Sequence, residues 1–233
     1  MSTKEEIIVC MAMKAESMDL FDNVINNISS DKYNFHLLYT GIGKVKATYS
    51  LTKKITELKM LNKNIKMVLN FGSAGGYNIA ENSICICNKF IQNDMSQSVV
   101  NLEHGVNLST NFGMKNCNEL SDEIGLVIEH KNIIEIDNID NVYCLTADSF
   151  ITNKELFKYS IKEVQEKFVE EMEGFALAYV CKKENIAFNA VKYVSDDINK
   201  NNGGNDFIEI LKKGIVAKKL VDILNIILLK YFI

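Results

Sequence analysis

Residues 65–76 read IKMVLNFGSAGG. A nearly continuous apolar run closed by glycines is the pattern of a strand covered on both faces, as a sheet sandwiched between helices requires. A strand is therefore expected over residues 65–72, followed by a glycine-rich turn, GSAGG, that would let a ligand approach the backbone closely. A plain tight turn is the alternative reading. No Lys-Ser or Lys-Thr follows the glycines, so the stretch is not a P-loop.

Segments of the same two kinds alternate on either side. IIVCMAM (7–13), FHLLYTG (35–41), VYCLTAD (142–148) and IAFNAVKYVS (186–195) read as strands, and ICICNKFI (84–91) as a partly exposed one. MDLFDNVINNI (18–28), residues 44–59, EMEGFALAYVCKKEN (171–185) and one long closing segment from residue 206 to 230 carry helical spacing. Residues 92–118 are polar and irregular, as a long loop would be. The alternation predicts an α/β sandwich with a mostly buried sheet and helices on both faces. No proline or glycine linker divides the chain, so residues 1–233 are expected to form a single domain.

Composition narrows the function. The net charge is -4 and the lysines are scattered, which disfavours nucleic acid as a partner. The chain has no arginine, the side chain best suited to a two-point grip on phosphate or carboxylate. The apolar end, LVDILNIILLKYFI (220–233), is interrupted by Asp222 and Asn225 and is too short for a membrane span. A packed helix or a subunit contact is expected there, not membrane association. Cys10, Cys85, Cys87, Cys117, Cys144 and Cys181 lie mostly in apolar runs without zinc spacing, and read as reduced thiols of a cytoplasmic protein.

In such sandwiches ligands gather at the carboxyl ends of the strands. The polar residues there are Lys14, Glu16, Ser73, Asp148, Ser195, Asp196 and Asp197, with the acids of FVEEMEG (168–174) beside them. Glu170, Glu171 and Glu173 could simply decorate the first turn of a helix, where the macrodipole favours negative charge. Carboxyl groups from separate segments could instead meet in one cleft and divide acid and base work, as cleavage of a glycosidic bond requires. Other chemistry fits less well. His36, His104 and His130 lack metal spacing, G-x-S-x-G is absent, and GIGKVK (41–46) has Lys46 in place of the third glycine of a dinucleotide turn.

Taken together, AMKAE (12–16), TGIGKVKA (40–47), NFGSAGG (70–76), TADSFI (146–151), EEMEGFALAYVC (170–181) and VSDD (194–197) resemble, in order and spacing, the nucleoside phosphorylase and nucleosidase superfamily. Within it the chain is similar to the 5'-methylthioadenosine/S-adenosylhomocysteine nucleosidases. The resemblance implies a three-layer αβα sandwich with a central mixed sheet, of nucleoside phosphorylase type. It also implies a homodimer that hydrolyses a small purine nucleoside without metal or organic cofactor. Carried over by motif, Glu16 would activate water, Asp196 would protonate N7 of the departing base, and Glu173 would bind the ribose hydroxyls. Phe150 would stack on the base and the Ile151 backbone would read its edge. Met172 would pack under the sugar, with Ser195 positioning Asp196. Ser73, Ala74 and Gly75 would line the base and sugar, and Met13 and Ile42 would complete the wall. Glu171 would assist at the cleft edge, leaving Glu170 as helix-start decoration. Residues 93–113 are poor in aromatics where these nucleosidases carry an aromatic-rich loop, so the 5'-substituent stays open. A phosphorylase, a nucleosidase for another purine nucleoside, and a non-catalytic nucleoside binder are the alternatives. The absent arginines and the acid at position 16 favour water over phosphate as nucleophile.

Overall fold

The computed structural model describes residues 4–94, 127–150, 167–198, 200 and 203–233. In chain order the elements are β1 (Glu5–Met11), a 3-10 turn (Lys14–Glu16), α1 (Leu20–Asn27), β2 (Tyr33–Tyr39), α2 (Lys44–Met60), β3 (Ile65–Tyr77) and β4 (Ile84–Gln92). There follow β5 (Val127–Glu129), β6 (Asp140–Thr146), β7 (Phe168–Glu171), α3 (Gly174–Lys183), β8 (Ala187–Asp197), α4 (Gly203–Lys212) and α5 (Ile215–Tyr231).

The strands form one mixed sheet. β2, β1, β3 and β8 run parallel, while β7 pairs antiparallel with the end of β3. β7 continues parallel to β6 and β6 to β4, and β4 returns antiparallel to β8. β3, β7, β6, β4 and β8 thus close a ring, with β2 and β1 extending from one side and β5 attached to β4.

Strand alternation assigns the two faces of the sandwich. Ile7, Val9 and Met11 of β1 pack with Phe21 and Ile25 of α1 and Val216, Leu220 and Leu224 of α5. Ile8 and Cys10 point the other way, against Leu51 and Ile55 of α2 and Leu177 of α3. Both faces of the strand are therefore apolar, and each such buried side chain contributes about 1.5–3 kcal/mol.

Three expectations from the sequence need correction. GSAGG is not a turn: β3 runs straight through it to Tyr77. Its glycines answer crowding, because a Cβ on Gly76 would lie 2.6 Å from Val194 Cγ1 and one on Gly75 would lie 2.9 Å from Ile198 Cγ1. Of the acids of FVEEMEG, Glu170 and Glu171 end β7 and do not open a helix, and only Glu173 stands at the boundary of α3, which starts at Gly174. The closing segment is two helices, broken at Gly214 with φ +66°. Cys10, Cys85, Cys87, Cys144 and Cys181 are free and buried, as read, whereas Cys117 and most of the 92–118 stretch lie outside the described residues.

Candidate active site

At the carboxyl ends of the parallel strands lies a cavity of about 160 Å³. Its walls come from the 3-10 turn, the segment before α2, the end of β3, the residues after β6, the β7–α3 junction and the end of β8. Glu16, Glu173 and Asp196 all border it, and so do Met13, Ile42, Ser73, Ala74, Gly75, Phe150, Glu171, Met172 and Ser195. Ile151 falls outside the described residues. Sequence reasoning missed Ala12, Ser149, Glu170 and Phe207, which also line the cavity. Phe207 stands on α4 with its ring 5.4 Å from that of Phe150. An aromatic in the first turns of a helix behind a polar, glycine-containing stretch was the only signal for it.

Glu16 is held at the base of the 3-10 turn and is almost wholly buried. Its Oε1 accepts hydrogen bonds from Ser73 N (2.8 Å) and Ser73 Oγ (2.6 Å), while Oε2 makes none. Burial raises its pKa above the ordinary carboxylate range, against the opposing pull of Ser73 and Lys192. The missing Cβ of Gly72 leaves the space in which Glu16 and the Lys192 ammonium approach each other.

Asp196 reaches the cavity through an irregularity. In the β3–β8 register Ala74 faces Val194, but Gly75 faces Asp196, so Ser195 is the extra residue of a β-bulge. A one-residue bulge flips the residues after it to the other face of a strand. It therefore brings Asp196 to the face of Gly75. Ser195 Oγ is bonded at 3.2 Å to Ala74 O and at 2.6 Å to Asp196 Oδ1, which fixes the bulge and the carboxyl together.

Glu171 faces the opposite side of β7 and serves as an anchor. It accepts from Thr146 Oγ1 (2.6 Å), from the Gly174 amide (2.8 Å) and from the Glu173 amide (3.0 Å), and pairs with Lys192 Nζ at 3.0 Å. Burial works against its charge, but Lys192 and these donors outweigh it and lower its pKa. The Lys192 ammonium is likewise held charged: burial opposes it, and Glu171 more than compensates. Glu173 follows at the N-terminal boundary of α3, where its Oε1 accepts from the Gly43 amide at 2.7 Å. Burial, with the nearby charge of Glu171 second, pushes its pKa up to about 8.

Glu170 contradicts its expected role as helix decoration. It sits on β7, buried, bordering the cavity, and burial with the charge of Glu171 raises its pKa to about 9. A run of four residues is too short to reveal strand period, which is why the sequence hid it.

Neither described histidine takes part. His36 pairs with Glu6 on β1, and His130 bonds Ala178 O at 2.9 Å between Phe90 and Phe188. Among the described residues no group of three His, Cys, Asp or Glu side chains is placed to hold a metal ion.

The arrangement can deliver a proton from one side of the cavity and accept one at another. A 5'-methylthioadenosine/S-adenosylhomocysteine nucleosidase of Bacillus cytotoxicus is 29% identical over 164 residues, spanning 69% of this chain and 67% of the relative. Among solved structures, the Streptococcus pneumoniae MTA/SAH nucleosidase in complex with 8-aminoadenine superposes with a TM-score of 0.72 at 19% identity, covering 94% of this chain and 96% of that one. A futalosine hydrolase mutant of Helicobacter pylori gives 0.67 at 18% identity, covering 94% and 97%. The family model described as the phosphorylase superfamily matches residues 24–228. The chain belongs to the phosphorylase superfamily.

Proposed function

We propose that this protein is an N-glycosyl hydrolase that cleaves 5'-methylthioadenosine and S-adenosylhomocysteine to adenine and the 5-thio-substituted ribose. One observation carries the reading: among the described residues, five carboxyl residues and no basic side chain line the cavity, with Glu16 and Asp196 both held there by serines. Such a lining offers an anionic phosphate no cation to hold it and gives water a base, so it suits water as nucleophile.

In the reaction the bond from C1' to the base nitrogen breaks with oxocarbenium character. Glu16 takes a proton from the attacking water, a role favoured by its raised basicity. Asp196 gives its proton to N7 of the leaving base, so that neutral adenine departs. Glu173 binds the ribose hydroxyls, Met172 packs beneath the sugar, and Phe150 covers the base. Ser73 and Ser195 hold the two working carboxyls, while Ala74 and Gly75 form the floor. The working protein is a homodimer of single-domain subunits, located in the cytoplasm in keeping with its buried free thiols.

The test is incubation with methylthioadenosine, S-adenosylhomocysteine, adenosine and inosine, with and without phosphate, following free base by chromatography. Adenine released from the thionucleosides without phosphate is the expected outcome. Release only with phosphate would make the protein a phosphorylase, and no release would leave a nucleoside binder.

A further inference from the structure

Three adjacent strands bring Glu170, Gly75 and Asp196 to one level: Gly75 pairs with Glu170 across β3 and β7, and with Asp196 across β3 and β8. Side chains at one level of neighbouring strands share a face, and two strand spacings set the outer pair about 10 Å apart at Cα. Between them Gly75 contributes no side chain, and a Cβ there would come within 3.3 Å of Asp196 Oδ2. The result is a slot floored by glycine, with one carboxyl at each end, opening on the cavity.

Glu170 is 6% exposed, and its Oε1 is buried without a hydrogen bond. A buried polar atom left unmatched is destabilising, and a ligand group placed against it would recover that loss. Among the described residues the groups facing Glu170 are Glu171 on its own strand, Asp196 on β8, and Asn93 and Asp94 after β4, of which Asn93, through a side-chain hydrogen bond, favours the ionised form. Three of these are acids. The nearby cations Lys192 and Lys44 are engaged elsewhere, by Glu171 at 3.0 Å and Asp94 at 2.6 Å. Glu170 therefore keeps its proton at neutral pH, in line with a pKa raised to about 9 by burial and by Glu171. A neutral carboxyl is a hydrogen-bond donor.

We infer that Glu170 is a specificity-determining residue that donates a hydrogen bond to a ring nitrogen of the bound base, on the edge away from Asp196. The inference rests on the nucleosidase reading. For a purine whose N7 meets Asp196, that edge carries N1 and N3. A hydrogen bond there also withdraws electron density from the leaving base, adding to the pull of Asp196.

The test measures calorimetric affinities of adenine, 1-deazaadenine and 3-deazaadenine for the wild type, Glu170→Val and Glu170→Gln. The wild type should bind one of the two deaza analogues at least 10-fold more weakly than adenine. Glu170→Val should erase that difference, and Glu170→Gln, which keeps an N–H donor, should preserve it. Above pH 9 the wild type should lose its preference while Glu170→Gln retains it, a readout that still decides the matter if the valine variant does not fold. The inference is overturned if the wild type does not prefer adenine to either analogue. It is also overturned if Glu170→Val weakens all three bases equally, or if the preference survives in the valine variant or above pH 9. Methylthioadenosine hydrolysis by the wild type is scored separately. Turnover without the Glu170-dependent preference sinks this inference alone, and the preference without turnover sinks the nucleosidase reading alone.

Discussion

Asp196 and Glu171 show how differently two buried acids can be used. Asp196 is aimed into the cavity by a bulge and steadied by one serine, an arrangement that supports a proton donor. Replacing it with Asn keeps the shape and removes the transferable proton. Asp196→Asn should lower kcat by about 10²-fold or more while adenine binding persists, as rapid-quench turnover and calorimetry would show. Equal activity would remove Asp196 from the chemistry. Glu171, by contrast, has its oxygens filled by Thr146, two backbone amides and Lys192. Removing Lys192 strands its charge beneath the site, a loss on the order of 3–5 kcal/mol. Lys192→Met should therefore shift the urea midpoint sharply, and Lys192→Arg, which retains the charge, should recover much of the stability. A small shift in the methionine variant would show that Glu171 simply takes up a proton there.

The strands were legible where both faces are apolar, as in β1 and the first half of β3, because a short unbroken apolar run bounded by polar residues fits little besides a strand covered on both sides. Boundaries failed where tertiary pairing overrides local propensity. GSAGG is extended because β8 and β7 flank it, and FVEE is a strand because β6 and β3 take its backbone. Neither partner is visible locally. The break between α4 and α5 was missed because LKKG continues a helical spacing, and only Gly214, at φ +66°, marks the stop. A Cβ at Gly214 would also lie 2.6 Å from Met18 Sδ, though that thioether can yield. Gly214→Ala should thus cost more than about 1 kcal/mol, mostly from the backbone, and thermal melting would register it as a drop of several degrees. An unchanged melting temperature would mean that the helix pair runs on without needing the left-handed residue. The acids of the cavity were legible as motifs, and the roles proposed for Glu16, Asp196 and Glu173 are those the family resemblance implies; what stayed hidden is which face of β7 and β8 each acid occupies, since that depends on strand pairing and on the bulge at Ser195.

Over the whole molecule, α1 and α5 cover one face of the sheet while α2 and α3 cover the other, yet the second pair leaves apolar surface outside. Val45 is 80% exposed and Tyr49 67%, beside Phe175 and Tyr179 in a groove of about 850 Å³. A second copy seated there fits the proposed homodimer. Tyr49→Glu should then yield monomers by sedimentation, and an unaltered species would move the interface elsewhere. A second global property comes from the acids of the cavity. Glu170 and Glu173, with pKa values raised to about 9 and about 8 chiefly by burial, hold protons in the folded chain that the unfolded chain releases near pH 4.5. Between those limits the native state binds more protons than the unfolded one, so stability falls as pH rises, by up to about 1.4 kcal/mol per unit for each group. The decline should flatten above pH 9, where both states are ionised. Glu6 and Glu171, whose pKa values are lowered, act in the opposite sense and weaken the fold only on acidification below about pH 4.5. Urea unfolding from pH 5 to 10 should therefore show a downward slope in the wild type and a shallower one in Glu170→Gln, which has lost one of the titrating groups. Parallel slopes would mean that Glu170 ionises in the folded protein as freely as it does in water.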